Sequence, residues 1–345
     1  MSLSEIAQPE DQLKRAWPYR PNGDYYDEMV DAEGTVRPHW RPLVEPLEAM
    51  GEGGFARRWQ EGQRLIHENG TTYNVYSDPQ NTVRPWPVDP IPLVLGTTEW
   101  ASIAAAIEQR AKLLNAILVD LYGPQKLLRE GIIPPELVFP NPAFLRPCCH
   151  VPVPGDVYLH IYAADLARSP DGRWWVIADR TQAPSGVGYA LENRLVSARV
   201  LPDVFRTAHV HRLATFFQTY RETLRALAPG RKDNPRTVVL TPGPYNETYF
   251  EHAFLARYLG YTLVEGADLT VRDNRVYLKT LGGLLPVDLI VRRQDDTYCD
   301  PLELRPDSIL GVPGLMQAVR SGTVTVVNSL GSGLVESAAP ASFLP

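Results

Sequence analysis

Short apolar runs alternate with helical segments after residue 236, and this alternation constrains the fold more than any other feature of the chain. Two helical stretches and one hairpin separate the runs, which are typical of buried strands. The runs are TVVLTPG (237–243), YTLVEG (261–266), VDLIVRR (287–293) and TVTVVNS (323–329); the helical stretches are 249–260 and 314–322, and the hairpin is 269–280. Buried strands joined by helices pack into a parallel sheet. Residues 236–345 are therefore predicted to form an α/β unit with a mainly parallel sheet.

The part before this unit, residues 1–235, has a different pattern. Apolar residues step by three and four along 98–123 and again near 206–228, which predicts two helices. The segments 157–169 and 172–180 read as two strands joined at SPDG. We expect an extended arm packed on the body over 1–50, then a short helix (54–67) and a strand and turn (70–78); the charged stretch RKDNPR (231–236) marks the boundary between the two regions.

The composition excludes several classes of protein. A formal net charge of -6 over 345 residues argues against a surface that binds nucleic acid or anionic membranes. No run approaches the roughly 18 apolar residues of a membrane span, and the polar N-terminus is unlike a signal peptide. Cys148, Cys149 and Cys299 give neither a disulfide framework nor a metal-binding spacing. These features predict a cytoplasmic protein.

The stretch ADRTQAPSGVGYALENR (178–194) concentrates residues that suit a metal and a phosphate. We expect a strand ending near Asp179, a glycine-containing turn, and a second arm that brings Glu192 back beside it. Mg²⁺ prefers oxygen ligands, commonly one or two carboxylates, and the Asn193 carbonyl offers another. Arg180 or Arg194 suits a phosphate or carboxylate. The alternative is a surface hairpin whose acids and arginines pair with each other.

The stretch VRRQDDTYCDPLELRPDS (291–308) is the second dense polar cluster. Arg292 and Arg293 end a predicted strand, and ligands of open α/β sheets bind beyond the carboxyl ends of the strands. Acids follow at once, so the cluster suits a clamp for the carboxylate and amine of a substrate. An ion-pair network that stabilises the loop explains the same residues equally well.

Three weaker patterns favour structural explanations. GVGYAL (186–191) and GSGLVE (331–336) begin like a dinucleotide-binding fingerprint but lack its third small residue, although the second could bind an anion weakly at a helix N-terminus. In TPGPYNETYFEH (241–252), capping of a helix accounts for the polar residues. Cys149 beside His150 would suit a thiol hydrolase, which predicts sensitivity to iodoacetamide.

Taken together, four segments resemble the circularly permuted ATP-grasp proteins, which are similar to glutathionylspermidine synthetase. These segments are DRTQAPSGVGYALENR, LTPGPYNETYFEHAFLARYLGYTLVEGADL, VRRQDDTYCDPLELR and GVPGLMQAVRSGTVTVVNSLGSGLVES. The resemblance covers the chain from about residue 100 to the end. It implies a fold of this type and ATP-dependent ligation of a small-molecule or peptide carboxylate to an amine, through an acyl phosphate and with Mg²⁺.

The resemblance also implies roles for individual residues. Asp179 matches a metal-binding aspartate and Glu192 a metal-binding glutamate, with Asn193 assisting directly after it. Arg180 loosely resembles a phosphate-contacting arginine. Arg292, with Arg293, stands where related synthetases carry a substrate-binding arginine. No glycine-rich lid with a following lysine precedes Pro345, so we expect the nucleotide-binding half to be incomplete. The alternative function is a non-catalytic binding or scaffold protein that retains the fold.

Overall fold

The computed structural model describes residues 19, 21, 23–74, 84–230, 233–338 and 343. Within these ranges the helices are α1 (Arg41–Glu68), α2 (Thr97–Tyr122), α3 (Lys126–Arg129), α4 (Val187–Val200), α5 (Pro202–Thr207), α6 (Ala214–Ala226), α7 (Tyr249–Leu259) and α8 (Leu315–Arg320). The strands are β1 (Ala163–Arg168), β2 (Trp174–Arg180), β3 (Thr237–Leu240), β4 (Thr262–Val264), β5 (Leu269–Arg272), β6 (Arg275–Thr280), β7 (Gly283–Pro286), β8 (Leu289–Arg292) and β9 (Thr325–Val327).

The region before residue 50 is only partly the extended arm that the sequence predicts. Residues 41–50 belong to α1, which continues to Glu68 through a kink at Gly51, where φ is 64°. Pro42 lies in the first turn of α1, where the missing N–H of proline breaks no helical hydrogen bond. Residues 1–18 lie outside the described part of the chain, as do 75–78 of the predicted strand over 70–78.

Arg168 on β1 fixes the described part of the arm to the body. Its guanidinium lies between the rings of Tyr26 and Trp174, 4.4 and 4.1 Å from their centroids. It also forms ion pairs with Glu28 at 2.7 Å and Glu99 at 2.5 Å. An arginine held by stacking and by two carboxylates anchors separate segments at one point.

The first long helix and the hairpin agree with the sequence analysis. Helix α2 spans 97–122, with Gly96 as its N-cap, and ends before Gly123. Strands β1 and β2 pair antiparallel, and Ala164 lies opposite Asp179. The helix predicted near 206–228 is two helices, α5 and α6, and His209 adopts a positive φ of 49° between them.

The second arm of the stretch 178–194 is a helix, so the predicted hairpin-like return of this arm is wrong. Residues 187–200 form α4, so Glu192, Asn193 and Arg194 lie on a helix rather than on a strand paired with β2. The period of α4 is hard to read because Gly188, Leu191 and Glu192 are all buried. These positions are spaced by three and four and share one helical face, so a glycine and an acid interrupt its apolar stripe.

The α/β unit contains the predicted parallel sheet. Its strand order is β4-β3-β8-β9, and every neighbouring pair is parallel. Every residue of β3 and of β8 is buried, as expected of strands covered on both faces. From β3 the chain passes first to β4 on one side and later to β8 on the other. The space between β3 and β8 is therefore the switch point of the sheet, where open α/β sheets bind ligands beyond the carboxyl ends.

A separate three-stranded antiparallel sheet, β5-β6-β7, extends the predicted hairpin by one strand. Strand β7 carries no recognisable sequence pattern, because Gly283–Pro286 is exposed throughout and shows no alternation. In the described part of the chain, no helix is long and apolar enough to cross a membrane.

Candidate functional site at the carboxyl edge of the parallel sheet

Two adjacent arginines at the end of β8 organise the carboxyl edge of the sheet. Arg292 is the last residue of β8 and Arg293 follows it; they are 1% and 7% exposed. Successive side chains of an extended strand point to opposite faces. The two guanidinium groups accordingly contact different partners.

Arg293 pairs with Glu251 on α7. Its Nη2 lies 3.0 Å from Oε2 of Glu251, and its Nη1 donates to the carbonyl of Pro184 at 2.8 Å. The other oxygen of Glu251 accepts backbone N–H groups from Gly186 and Gly188, both at 2.7 Å. Glu251 is fully buried. One guanidinium and the amino end of α4 balance its charge.

Arg292, on the other face, likewise pairs with a buried carboxylate that also accepts a backbone N–H group. Its Nη2 lies 2.5 Å from Oδ1 of Asp296, whose Oδ2 accepts the backbone N–H of Gly333 at 2.9 Å. The remaining donors of Arg292 bond to carbonyls of Asn328 and Gln294 and to the Ser332 hydroxyl. Burial raises the pKa of Asp296, and the nearby charge of Arg292 opposes that rise only in part.

The two glycine-containing turns therefore hold carboxylates of the protein itself. In GVGYAL the N–H groups of Gly186 and Gly188 face Glu251, and in GSGLVE that of Gly333 faces Asp296. A Cβ on Gly188 would lie 2.7 Å from Cγ of Glu251, so only glycine permits this approach. These amides thus already have anionic partners within the protein, which agrees with a structural role for both turns.

Residues 181–186, here called the strap, run across the carboxyl ends of β8 and β9. The backbone N–H groups of Thr181 and Gln182 donate to Oε1 of Glu336, at 2.5 and 2.9 Å. The carbonyl of Thr181 accepts Nδ2 of Asn328 at 2.7 Å. The side chain of Gln182 accepts the backbone N–H of Asp296 at 3.0 Å. The strap joins the hairpin to α4 and is bonded to the sheet edge along its length.

Asp179 lies just before the strap and forms a two-point ion pair with Arg110 of α2. Both joining distances are 2.7 Å, and the Tyr162 hydroxyl donates to Oδ1 at 2.5 Å. Burial alone would raise the pKa of Asp179, but the hydrogen bonds from Arg110 and Tyr162 and the charge of Arg110 outweigh it and lower the pKa below its usual value. The carboxylate is held ionised.

Glu192 and Asn193 contact the segment that follows α1. Asn69 donates to Oε1 of Glu192 at 2.5 Å, and the indole N–H of Trp86 donates to Oδ1 of Asn193 at 2.8 Å. Trp86 also stacks on Tyr189, with centroids 4.1 Å apart. The hydrogen-bond partners of Glu192 thus differ from those of Asp179, and no residue of the described ranges is a common partner of the two carboxylates.

The two outer arginines of the motif have unlike surroundings. Arg180 is exposed and pairs with Asp165 on β1 at 2.7 Å, an arrangement that leaves it available to an anion. Arg194 is half-buried and donates to the carbonyl of His211 at 2.9 Å. Burial lowers its pKa.

These side chains, as they lie, do not fit a magnesium site. In the described ranges no group of three His, Cys, Asp or Glu residues is placed to hold a metal ion. Both oxygens of Asp179 are engaged by Arg110, and Glu192 lies on a different element. The metal roles of Asp179, Glu192 and Asn193, and the nucleotide roles of Arg180, Asn193 and Arg194, remain predictions.

Residues beyond β3 support the edge through a neutral histidine. The ring of His252 forms two hydrogen bonds, from Nδ1 to the Thr241 hydroxyl at 2.9 Å and from Nε2 to the Thr248 hydroxyl at 3.1 Å. Burial, with a smaller contribution from Arg293, lowers the pKa of His252 to about 2. Asn246 accepts from the backbone N–H and hydroxyl of Thr248, which agrees with a structural role for this polar stretch.

The acids after Arg293 also serve the loop. Asp300 accepts backbone N–H groups of Leu302, Gly314 and Met316 and so fixes the start of α8. This arrangement agrees with the structural alternative for that residue.

Burial raises the pKa of the Cys149 thiol, an effect that Arg146 only partly offsets, so the thiolate that a hydrolase would need is disfavoured.

Sequence reasoning missed four residues that hold this edge: Glu251, Asn328, Ser332 and Glu336. Glu251 carried a usable signal, because it shares a helical face with the apolar residues Phe254, Leu255 and Leu259. An acid on the buried face of a helix requires a partner. The other three had no local signal, since their partners lie more than 30 residues away.

Comparison with known proteins decides the family. The profile of the family described as circularly permuted ATP-grasp type 2 matches residues 92–345. The chain belongs to this family. The resemblance and the fold predicted from the sequence are thereby confirmed.

Relatives of this ATP-grasp chain are longer proteins. It is 44% identical over 331 residues to an uncharacterized protein of Mycobacterium tuberculosis (strain ATCC 25618 / H37Rv), covering 94% of this chain and 37% of the relative. An uncharacterized protein of Synechocystis sp. is 40% identical over 323 residues, with 94% and 67% covered. The chain thus spans little more than a third of the mycobacterial relative.

Among solved structures, the chain is similar to a glutathione synthetase-like effector from Globodera pallida in its apo form. The TM-score is 0.47 at 14% identity, and the match covers 76% of this chain and 62% of the effector.

Proposed function

We propose that this chain takes part in ATP- and Mg²⁺-dependent ligation of a carboxylate to an amine through an acyl phosphate, and that its own contribution is the substrate-binding edge of the parallel sheet. Membership of the ATP-grasp family supports the reaction class. The observation that carries the proposal is the switch point between β3 and β8, with two buried arginines at its carboxyl edge.

The two arginines receive different roles in this proposal. Every side-chain nitrogen of Arg292 already donates to the protein, so Arg292 acts as a positioning residue for the loop after β8. Arg293 retains one buried N–H, at Nε, that has no acceptor among the described residues. A buried guanidinium with a donor to spare suits a substrate carboxylate. Arg293 is therefore the proposed substrate contact.

The acid and the amine are small molecules or peptides in this proposal. The three free cysteines support a reducing compartment, the cytoplasm. The competing function is a binding or scaffold protein without nucleotide chemistry, and the engagement of Asp179, Glu192 and Asn193 with protein groups favours it.

A hydroxylamine trap separates these functions. This chain and its Mycobacterium tuberculosis relative would each be incubated with ATP, Mg²⁺, pooled carboxylic acids and hydroxylamine as the amine. A ligase forms hydroxamate and releases an equal amount of ADP, only when an acid is present. Arg293→Lys should raise the KM for the acid, while Arg305→Lys, at an exposed ion pair with Asp307, should leave it unchanged. Absence of hydroxamate and ADP with both proteins would overturn the proposal.

A further inference from the structure

A cavity lies beside the edge strand β9. Its volume is about 260 Å³. The walls come from β9 with Ser329 and Leu330 beyond it, from α8, from the end of α6 and from the proline-rich loop after Cys149. Cys148, Met316, Val319 and Thr325 are among the residues that line it.

The chemistry of the walls selects an uncharged occupant. None of the described residues that line the cavity is acidic or basic. The hydroxyl of Thr325 is already used, because it donates to the carbonyl of Leu227 at 2.9 Å. Burial raises the pKa of the Cys148 thiol well above its usual value, so this group stays neutral. A buried neutral thiol behaves as a small apolar group.

The opening of the cavity is also without charge. Pro152, Pro154, Ala226 and Gly322 line it and are exposed, so the rim reaches the solvent. An apolar cavity of about 150 Å³ is large enough to bind benzene and stays free of water otherwise. The space beside β9 is larger than that and is accessible.

We infer that the cavity beside β9 is a binding site for a small uncharged apolar molecule of about the size of an aromatic ring. None of the residues to which the proposed ligation gives a role lines this site. Burial of apolar surface drives the binding, and the size of the cavity limits the ligand.

The methionines allow a direct test with toluene as the probe. The sequence has four, and Met316 lies in the wall of the cavity while Met29 and Met50 belong to the cluster around α1. In protein labelled with ¹³C at the methionine methyl groups, toluene should shift the Met316 signal saturably through its ring current. The Met29 and Met50 signals should stay in place and report that the fold is intact.

A filled cavity provides the matched control. Val319→Phe puts a ring into the cavity and should abolish the toluene shift, whereas Leu281→Phe, on a fully exposed turn, should keep it. The inference is overturned if Met316 does not respond up to the solubility of toluene, if all the methionines shift together, or if Val319→Phe retains the response. Should Val319→Phe disturb Met29 or Met50, Ala226→Leu at the rim replaces it, with the same loss expected.

Discussion

Oε2 of Glu251 lies 3.0 Å from Nη2 of Arg293, while the other oxygen of the same carboxylate accepts the amides of Gly186 and Gly188. One buried acid thereby connects α7, the end of β8 and the start of α4. Removal of one partner from a buried pair leaves the other charge without compensation.

Glu251→Gln should consequently lower the free energy of unfolding by about 3–5 kcal/mol, because the neutral amide leaves Arg293 unbalanced. Denaturant unfolding followed by circular dichroism would measure it. Glu303→Gln is the control: its partner Arg320 is partly exposed, and a cost below about 1 kcal/mol is expected there. Equal effects of the two substitutions would contradict the importance assigned to Glu251.

Gly188→Ala tests the close approach of the same carboxylate. The new Cβ would lie 2.7 Å from Cγ of Glu251 and must displace it, so we expect a loss of about 1–3 kcal/mol. Gly282→Ala meets nothing closer than 3.9 Å and should cost less than about 0.5 kcal/mol. Denaturation midpoints of the two variants, compared at constant slope, give the answer; indistinguishable midpoints would refute the steric argument.

Acid should weaken the contact of Asp179 with Arg110. The pKa of Asp179 is lowered in the folded protein, so the carboxylate contributes stability above its unfolded pKa of about 3.9, and this contribution disappears as the pH falls through the folded pKa. Asp179→Asn should therefore be less stable than the parent at pH 7, and the difference should shrink below about pH 4. A difference that is constant from pH 7 to pH 3 would show that the ion pair is not its cause.

The metal role of Asp179 is tested separately by calorimetric titration with ATP, with and without Mg²⁺. If the role predicted from the family resemblance is correct, binding depends on magnesium and is lost in Asp179→Asn. Asp165→Asn removes an exposed carboxylate on the neighbouring strand and should retain binding. Magnesium-dependent binding that survives in Asp179→Asn would remove Asp179 from the metal site.

Iodoacetamide should react with Cys149 more slowly at pH 7 than with free cysteine, because burial raises the pKa of this thiol and lowers its thiolate fraction. Mass spectrometry of peptides after timed alkylation gives the rate. Any ADP release by the protein should be unaffected by the reagent. Rapid alkylation together with loss of activity would instead support a thiol mechanism.

Local sequence patterns predicted most helices and strands well but did not predict the contacts between residues far apart in the chain. Helix α2 was recognisable from its apolar periodicity and strand β8 from its short apolar run, because both patterns lie in residues close together in the sequence. Helix α4 was not recognised, because the buried Gly188 and Glu192 interrupt the apolar stripe on its buried face. The contact of Glu192 with Asn69 spans 123 residues, and no local pattern encodes such a pairing.

The hydrogen bonds of the strap determine whether the two predicted regions can be separated from each other. Three hydrogen bonds of the strap join residues before 235 to residues after 236. They link Thr181 with Glu336, Pro184 with Arg293 and Gly186 with Glu251. Most of these groups are buried and would be left without partners in either half alone. A polypeptide cut near residue 235 would thus yield two fragments with complementary surfaces, which should reassemble when mixed rather than persist as independent pieces.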